Sequence, residues 1–160
     1  MHIYIDTEFS TLMARIQNIK LISAGFVAED GQEFYFELPS NYAERECSYF
    51  VSENVIPYLN NTEKVALSNL DAVTKLKEWV ESFNLPVTFL TDAPSYDWLL
   101  LHEFFYRMGD NFPKNLAHTP LNVTSLRVET YIEKYFEGNK DAIRHHALCD
   151  ARALAYACKA

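Results

Sequence analysis

Asp6 and Glu8 stand two residues apart in the segment His-Ile-Tyr-Ile-Asp-Thr-Glu-Phe, whose alternating Ile and Tyr read as a β-strand. Side chains alternate along a strand, so both carboxylates point to one face. Two further acids interrupt apolar helical stripes. Asp97 shares its stripe with Leu100, Leu101, Phe104 and Met108, and Asp150 shares its own with Ala147, Ala151, Leu154 and Cys158. A carboxylate that faces a core must meet a cation, or it takes up a proton. Few basic residues near these four acids look able to neutralise them, and a set of hard oxygen ligands suits Mg²⁺ or Mn²⁺. At about 4 Å and an effective dielectric near 20, each pair of carboxylates would repel by about 4 kcal/mol without such a cation.

His145 lies five residues before Asp150. In an unbroken helix that separation turns the two about 140° apart. His145 therefore belongs to a loop ahead of the helix, facing the same site from outside, with His146 as its neighbour and rival. Each residue also has an ordinary reading. Asp6 and Glu8 can close a strand as solvated acids, Asp97 can answer the positive end of its helix, and a single histidine is more often a surface or satisfied core residue.

The elements that must position these groups follow from periodicity and punctuation. Residues 2–6, 19–28 and 32–38 read as three strands, with Asp30-Gly31 as a hairpin turn between the last two. Residues 42–59 read as one or two short helices ended by Pro57. Ser68 and Asp71 form a capping box for a helix that runs to Phe83. Pro86–Thr91 suits a buried strand, and Ser95 caps a helix to about Met108. Residues 109–120 read as a loop and Leu121–Val123 as a short strand. Helices then run from about Thr124 to Phe136 and from about Ala147 to the end. Strand–strand–strand followed by alternating helices and strands predicts one α/β domain over residues 1–160, with a mixed five- or six-stranded sheet.

Composition narrows the function classes. The chain has 160 residues and is 49% hydrophobic, enough for a sizeable core. No stretch is long enough to span a bilayer, and no basic-then-apolar leader opens the chain, so no membrane association and a cytoplasmic setting are expected. Cys47, Cys149 and Cys158 are an odd set without paired spacing, which fits a reducing compartment. The net charge of −8 argues against coating long nucleic acid, which needs many Lys/Arg–phosphate contacts. An enzyme that grips only a chain end is not excluded, because bound cations supply the positive charge.

Three motifs now stand in order: Asp6-Thr7-Glu8-Phe9, Tyr96-Asp97 opening a helix, and His145-His146-Ala147-Leu148-Cys149-Asp150-Ala151. In types, order and separation they resemble the DEDDh 3′–5′ exonucleases, and the last fits that family's H-x-A-L-x-D-A. In length the chain is most similar to the short bacterial single-domain members of the ribonuclease AS type; ribonuclease T and oligoribonuclease are larger relatives. The resemblance implies a ribonuclease-H-like fold with three antiparallel strands first. It makes Asp6, Glu8, Asp97 and Asp150 the carboxylates for two Mg²⁺ or Mn²⁺ ions, and His145 the general base. It implies stepwise hydrolysis from a single-stranded 3′ end, RNA favoured, releasing nucleoside 5′-monophosphates, with a homodimer as a family expectation. Thr7, Phe9, Leu12, Met13 and Tyr96 become candidate substrate contacts, and Arg144 and Arg15 candidate phosphate contacts. One position departs: many relatives carry Asn four residues before the second-motif Asp, where this chain has Ala93.

Rival readings are a DNA-directed 3′–5′ exonuclease, a catalytically weak module that binds nucleic-acid ends or metal, and a structural zinc site through His145 and Cys149. Zinc sites want four ligands at recognisable spacings, which Cys158 and His146 do not complete. No Gly-x-Ser-x-Gly elbow exists for a serine hydrolase, and 4 glycines without a Walker-type loop exclude a phosphate-cradling NTPase.

Overall fold

The computed structural model describes residues 1–12, 18–109 and 111–160. Five strands form one mixed sheet: β1 (His2–Phe9), β2 (Leu21–Ala28), β3 (Glu33–Glu37), β4 (Thr88–Thr91) and β5 (Leu121–Asn122), in the order β3-β2-β1-β4-β5. β1 pairs antiparallel with β2 and β2 with β3, whereas β1–β4 and β4–β5 are parallel. The mixed α/β sheet with three antiparallel strands first is the architecture expected from the sequence. The β2–β3 hairpin turns at Gly31, whose φ of 91° is a left-handed value that glycine adopts without strain.

The helices are α1 (Tyr49–Asn54), α2 (Asn69–Ser82), α3 (Asp97–Arg107), α4 (Leu126–Gly138) and α5 (Ala147–Lys159). Ser68 starts α2 as expected: its Oγ accepts from the Asp71 N–H and donates to the Asp71 carboxylate. Ser95 does not cap α3. Tyr96 holds that position without a side-chain bond, and Asp97 is the first helical residue. Strand β1 also runs past residue 6 to Phe9, so Asp6 and Glu8 lie inside paired strand and not beyond its end. No described helix is long and apolar enough to cross a membrane.

Alternation sorts the sheet into two faces. Ile3, Ile5, Phe26, Phe36 and Phe89 pack with α2 and α3 residues such as Leu76 and Leu101 in the larger core. Tyr4, Val27 and Leu90 pack with Ala151 and Leu154 of α5 and Val128 of α4. The α5 side is thinner because its buried residues are mostly alanine: Ala147, Ala151, Ala153, Ala155 and Ala157. Gly25 sharpens this close approach. A Cβ built there would lie 2.4 Å from the Ala147 carbonyl and the Leu148 nitrogen. Gly25 pairs across the sheet with Asp6. The bare glycine therefore lets the start of α5 settle on the sheet beside the acid-bearing strand.

Candidate metal centre

β1 and β4 run parallel, and their carboxyl ends open into one cleft of about 750 Å³. Crevices at the carboxyl ends of parallel strands are common ligand sites in α/β sheets. Asp6 and Glu8 reach the cleft from β1, Asp97 from the first turn of α3, Asp150 from the first turn of α5, and His145 from the loop before α5. All five predicted residues thus line one space, although Asp6 and Asp150 lie 144 positions apart in the chain.

Asp97 is buried, and hydroxyls hold it. Its Oδ1 accepts from Thr7 Oγ1 at 2.7 Å and from the Thr7 N–H at 3.2 Å, and its Oδ2 accepts from Thr91 Oγ1. Thr7 alternates to the opposite face from Asp6 and Glu8, so this bond ties α3 to β1 from beneath the acids. The carboxylates nearer the opening are less well served. Asp6 Oδ2 and Asp150 Oδ2 are closed to solvent and accept no hydrogen bond from the described residues. No side-chain hydrogen bond or ion pair from the described residues reaches Glu8 either, and its cross-strand neighbour Ser23 is buried beside it.

Crowded acids under such conditions hold their protons. Burial first, then the charges of Asp150, Asp97, Glu8 and Asp92, push the Asp6 pKa well above its usual range. Burial, with Asp150 and Asp97, lifts Glu8 to about 8. Burial raises Asp97 to about 7 against the pull of its threonine bonds. Asp150 also rises to about 7 through burial, opposed by the backbone N–H groups of His145 and His146 and by Arg144. His145 moves the other way. Burial and the Arg144 charge lower its pKa, which leaves a neutral imidazole able to accept a proton near pH 7.

His145 adopts a φ of 60°, a left-handed conformation that costs a non-glycine residue about 1 kcal/mol. The turn carries His145 into the cleft, where the Phe50 ring meets it edge-on at 4.9 Å. His146 turns away and stacks on Tyr35 at 4.7 Å. The loop placement expected from the five-residue spacing therefore holds, and only His145 of the pair lines the cleft.

Two groups of carboxylates bring ligand oxygens within 4.8 Å of one another: Asp6, Glu8 and Asp150, and Asp6, Asp92 and Asp97. Every donor is an oxygen, and two of them are orphaned and buried, so the residues fit hard divalent cations of the Mg²⁺ or Mn²⁺ kind. His145 and Cys149 join no such group among the described residues, which removes support for a structural zinc site.

No protein-family model matches the chain, and no curated protein matches it. Solved structures do. At 12% identity and a TM-score of 0.63, 99% of the chain superposes on 39% of E. coli ExoI in a zinc-bound complex with single-stranded DNA. The fold is ribonuclease-H-like. A chain of the yeast NOT1 MIF4G–CAF1 co-crystal structure matches at 14% identity over 98% of this chain and 75% of that one, but its TM-score of 0.49 is too low to assign a fold. The chain spans about two fifths of the length of ExoI.

Within this ribonuclease-H-like frame the remaining expected contacts divide. Phe9 and Leu12 line the cleft, Leu12 with an exposed side chain. Thr7 lines it too, but its hydroxyl is spent on Asp97. Tyr96 is not among the lining residues and stacks flat under Phe9 at 5.3 Å. Arg144 lines the cleft while pairing with Glu133. Met13 and Arg15 lie outside the described residues. The sequence reading missed Phe50, Asp92 and the Thr124–Glu129–Ile132 wall. Asp92 had a readable signal, an acid immediately after a buried apolar strand; Phe50 had none, because its short helix α1 carries no motif.

Proposed function

We propose that the chain is a single-domain, metal-dependent 3′–5′ exonuclease that removes nucleoside 5′-monophosphates from single-stranded 3′ ends, RNA favoured. The observation that carries this reading is the meeting of acids from distant segments around two buried, unpartnered oxygens, with a neutral histidine at the rim.

Asp6, Glu8, Asp97 and Asp150 would hold two Mg²⁺ or Mn²⁺ ions. Such ions, when bound, activate a water and stabilise the oxyanion that leaves. His145 accepts the proton of the attacking water and passes it to solvent. As the oxygen–phosphorus bond forms, the bond to the 3′ oxygen of the penultimate nucleotide breaks. The terminal nucleotide departs with its 5′ phosphate, and the freed 3′ oxygen takes a proton from solvent to leave the shortened chain with a 3′ hydroxyl. Phe9, Leu12 and Phe50 give the cleft an apolar wall against which a terminal base can stack. The acidic chain would not hold a long polyanion, which is consistent with a grip on the end alone. Three free cysteines suit a reducing, cytoplasmic setting.

A second reading, a DNA-directed 3′–5′ exonuclease, is favoured by the single-stranded DNA in the ExoI complex. Digestion of 3′-labelled and 5′-labelled RNA and DNA oligomers with Mg²⁺ or with EDTA tests both. The expected result is a ladder shortening from the 3′ end of RNA, abolished by chelator. A ladder on DNA alone selects the second reading, and no chelator-sensitive cleavage of either polymer overturns both.

A further inference from the structure

The four motif acids do not exhaust the carboxylates of the cleft. Asp92 follows the last residue of β4 and lines the same space. One oxygen each from Asp6, Asp92 and Asp97 lie within 4.8 Å of one another, a group that shares only Asp6 with the group of Asp6, Glu8 and Asp150. Asp6 belongs to both groups, and its Oδ2 is sealed from solvent without a hydrogen-bond partner among the described residues, so the acid the two groups share carries an unmet electrostatic demand.

Asp97 is poorly equipped to answer that demand. A carboxylate has about four lone-pair positions. Two on Asp97 Oδ1 go to the Thr7 N–H and hydroxyl, and one on Oδ2 goes to the Thr91 hydroxyl. One position remains. Asp92 differs in each respect. It is half-buried, its carboxylate is met only by its own backbone N–H and pairs with no cationic side chain among the described residues, and its charged neighbour across the cleft wall is another acid, Glu129. Next to it, Ala93 offers no polar side chain, and its N–H is taken by Thr91 Oγ1. A partly desolvated carboxylate beside two other acids is retained at a cost unless a cation meets it.

We infer that Asp92 is a direct ligand of the second cation, a fifth carboxylate of the centre, while Asp97 acts mainly as the brace that fixes Thr7 and Thr91 around it. The inference rests on the metal-centre reading above and refines it. One ion would sit among Asp6, Glu8 and Asp150, the other between Asp6 and Asp92 with at most one oxygen of Asp97.

Mn²⁺ titration of the metal-free full chain, read by calorimetry and by the loss of the free-ion electron paramagnetic resonance signal, tests this without any activity assay. Wild type is expected to bind two ions. Asp92→Asn is expected to bind one, the second weakened by about a hundredfold or more, with an unchanged melting temperature before metal is added. Glu129→Gln, an acid of the same wall outside both groups, is expected to keep two. Two ions of wild-type affinity in Asp92→Asn overturn the inference and leave the metal centre standing. Equal weakening in Glu129→Gln also overturns it, because bulk charge would then explain the loss. A wild-type chain that binds no Mn²⁺ overturns the metal-centre reading itself.

Discussion

Glu8 and Glu37 occupy one row of the sheet: Glu8 of β1 pairs with Ser23 of β2, and Ser23 pairs with Glu37 of β3. Both point to the α5 side, and both are carboxylates where an alternating strand would place an apolar side chain. Their surroundings are opposite. Glu37 is 1% exposed and accepts from Tyr35 Oη at 2.8 Å and from the N–H groups of Asn60 and Asn61 at 2.6 and 2.8 Å. It pins the chain after Tyr58 to the sheet. Glu8 receives none of this and faces Asp6 and Asp150, two acids with orphaned oxygens. A buried carboxylate with its own donors is part of the architecture. One left with only other acids for company is, in the proposed reading, the one a cation would meet, and that difference separates the structural end of the row from its proposed functional end.

The largest effect that can break this comparison is on activity. Asp150→Asn should leave no measurable nucleotide release, while the metal-free protein melts no lower than wild type because one repelling charge is gone. Glu37→Ala should do the reverse. It strands three donors and should cost about 3 kcal/mol in urea unfolding, while chelator-sensitive cleavage persists at low temperature. If Asp150→Asn destabilised the metal-free protein as Glu37→Ala does, the two ends of the row would be alike. Next in size, His145→Ala should lower the turnover number by about 10²–10⁴-fold. His146→Ala, which loses only its stack on Tyr35, should stay within about tenfold; the opposite ranking in steady-state rates would exchange their roles.

Gly25→Ala should act on geometry alone. The added methyl meets Ala147 and Leu148 backbone and must lift the start of α5. A stability loss of about 1–3 kcal/mol is expected, together with weaker Mn²⁺ binding in calorimetry, because Asp150 moves with the helix. Unchanged metal affinity would show that the close approach serves packing only.

The smallest effect is a slope. Glu8 rises from its ordinary 4.5 to about 8, and Asp97 and Asp150 rise from 3.8 to about 7. A carboxyl whose folded pKa is raised adds its stability fully below the unfolded value and loses it as pH climbs through the folded one. The melting temperature of metal-free protein should therefore fall between pH about 4 and about 8. Added Mg²⁺ should flatten or reverse the trend, since it binds the folded, deprotonated acids. A metal-free melting temperature that rises over this range in differential scanning calorimetry would contradict the crowding.

Much of this was legible in the chain itself. Local periodicity located β1 to β4 and the helices to within a few residues, because 2-residue and 3.6-residue repeats are set by neighbours in sequence. Asp97 and Asp150 stood out as charges in apolar stripes, and the five-residue offset alone placed His145 ahead of α5. Other features had no local signal. The capping role given to Ser95 fails because the Tyr96 and Asp97 N–H groups already bond to the Ala93 carbonyl, which puts Ser95 inside that turn. Glu37 and Glu8 look alike as letters, and only the fold decides which one meets the Asn60–Asn61 backbone and which meets Asp6 and Asp150. Asp92 and Phe50 join the cleft through the parallel pairing of β4 with β1 and the packing of α1. Sequence dictates what each segment buries and which charges it carries; which charges become neighbours depends on strand order and on how closely α5 can approach Gly25, quantities that exist only once distant segments have come together.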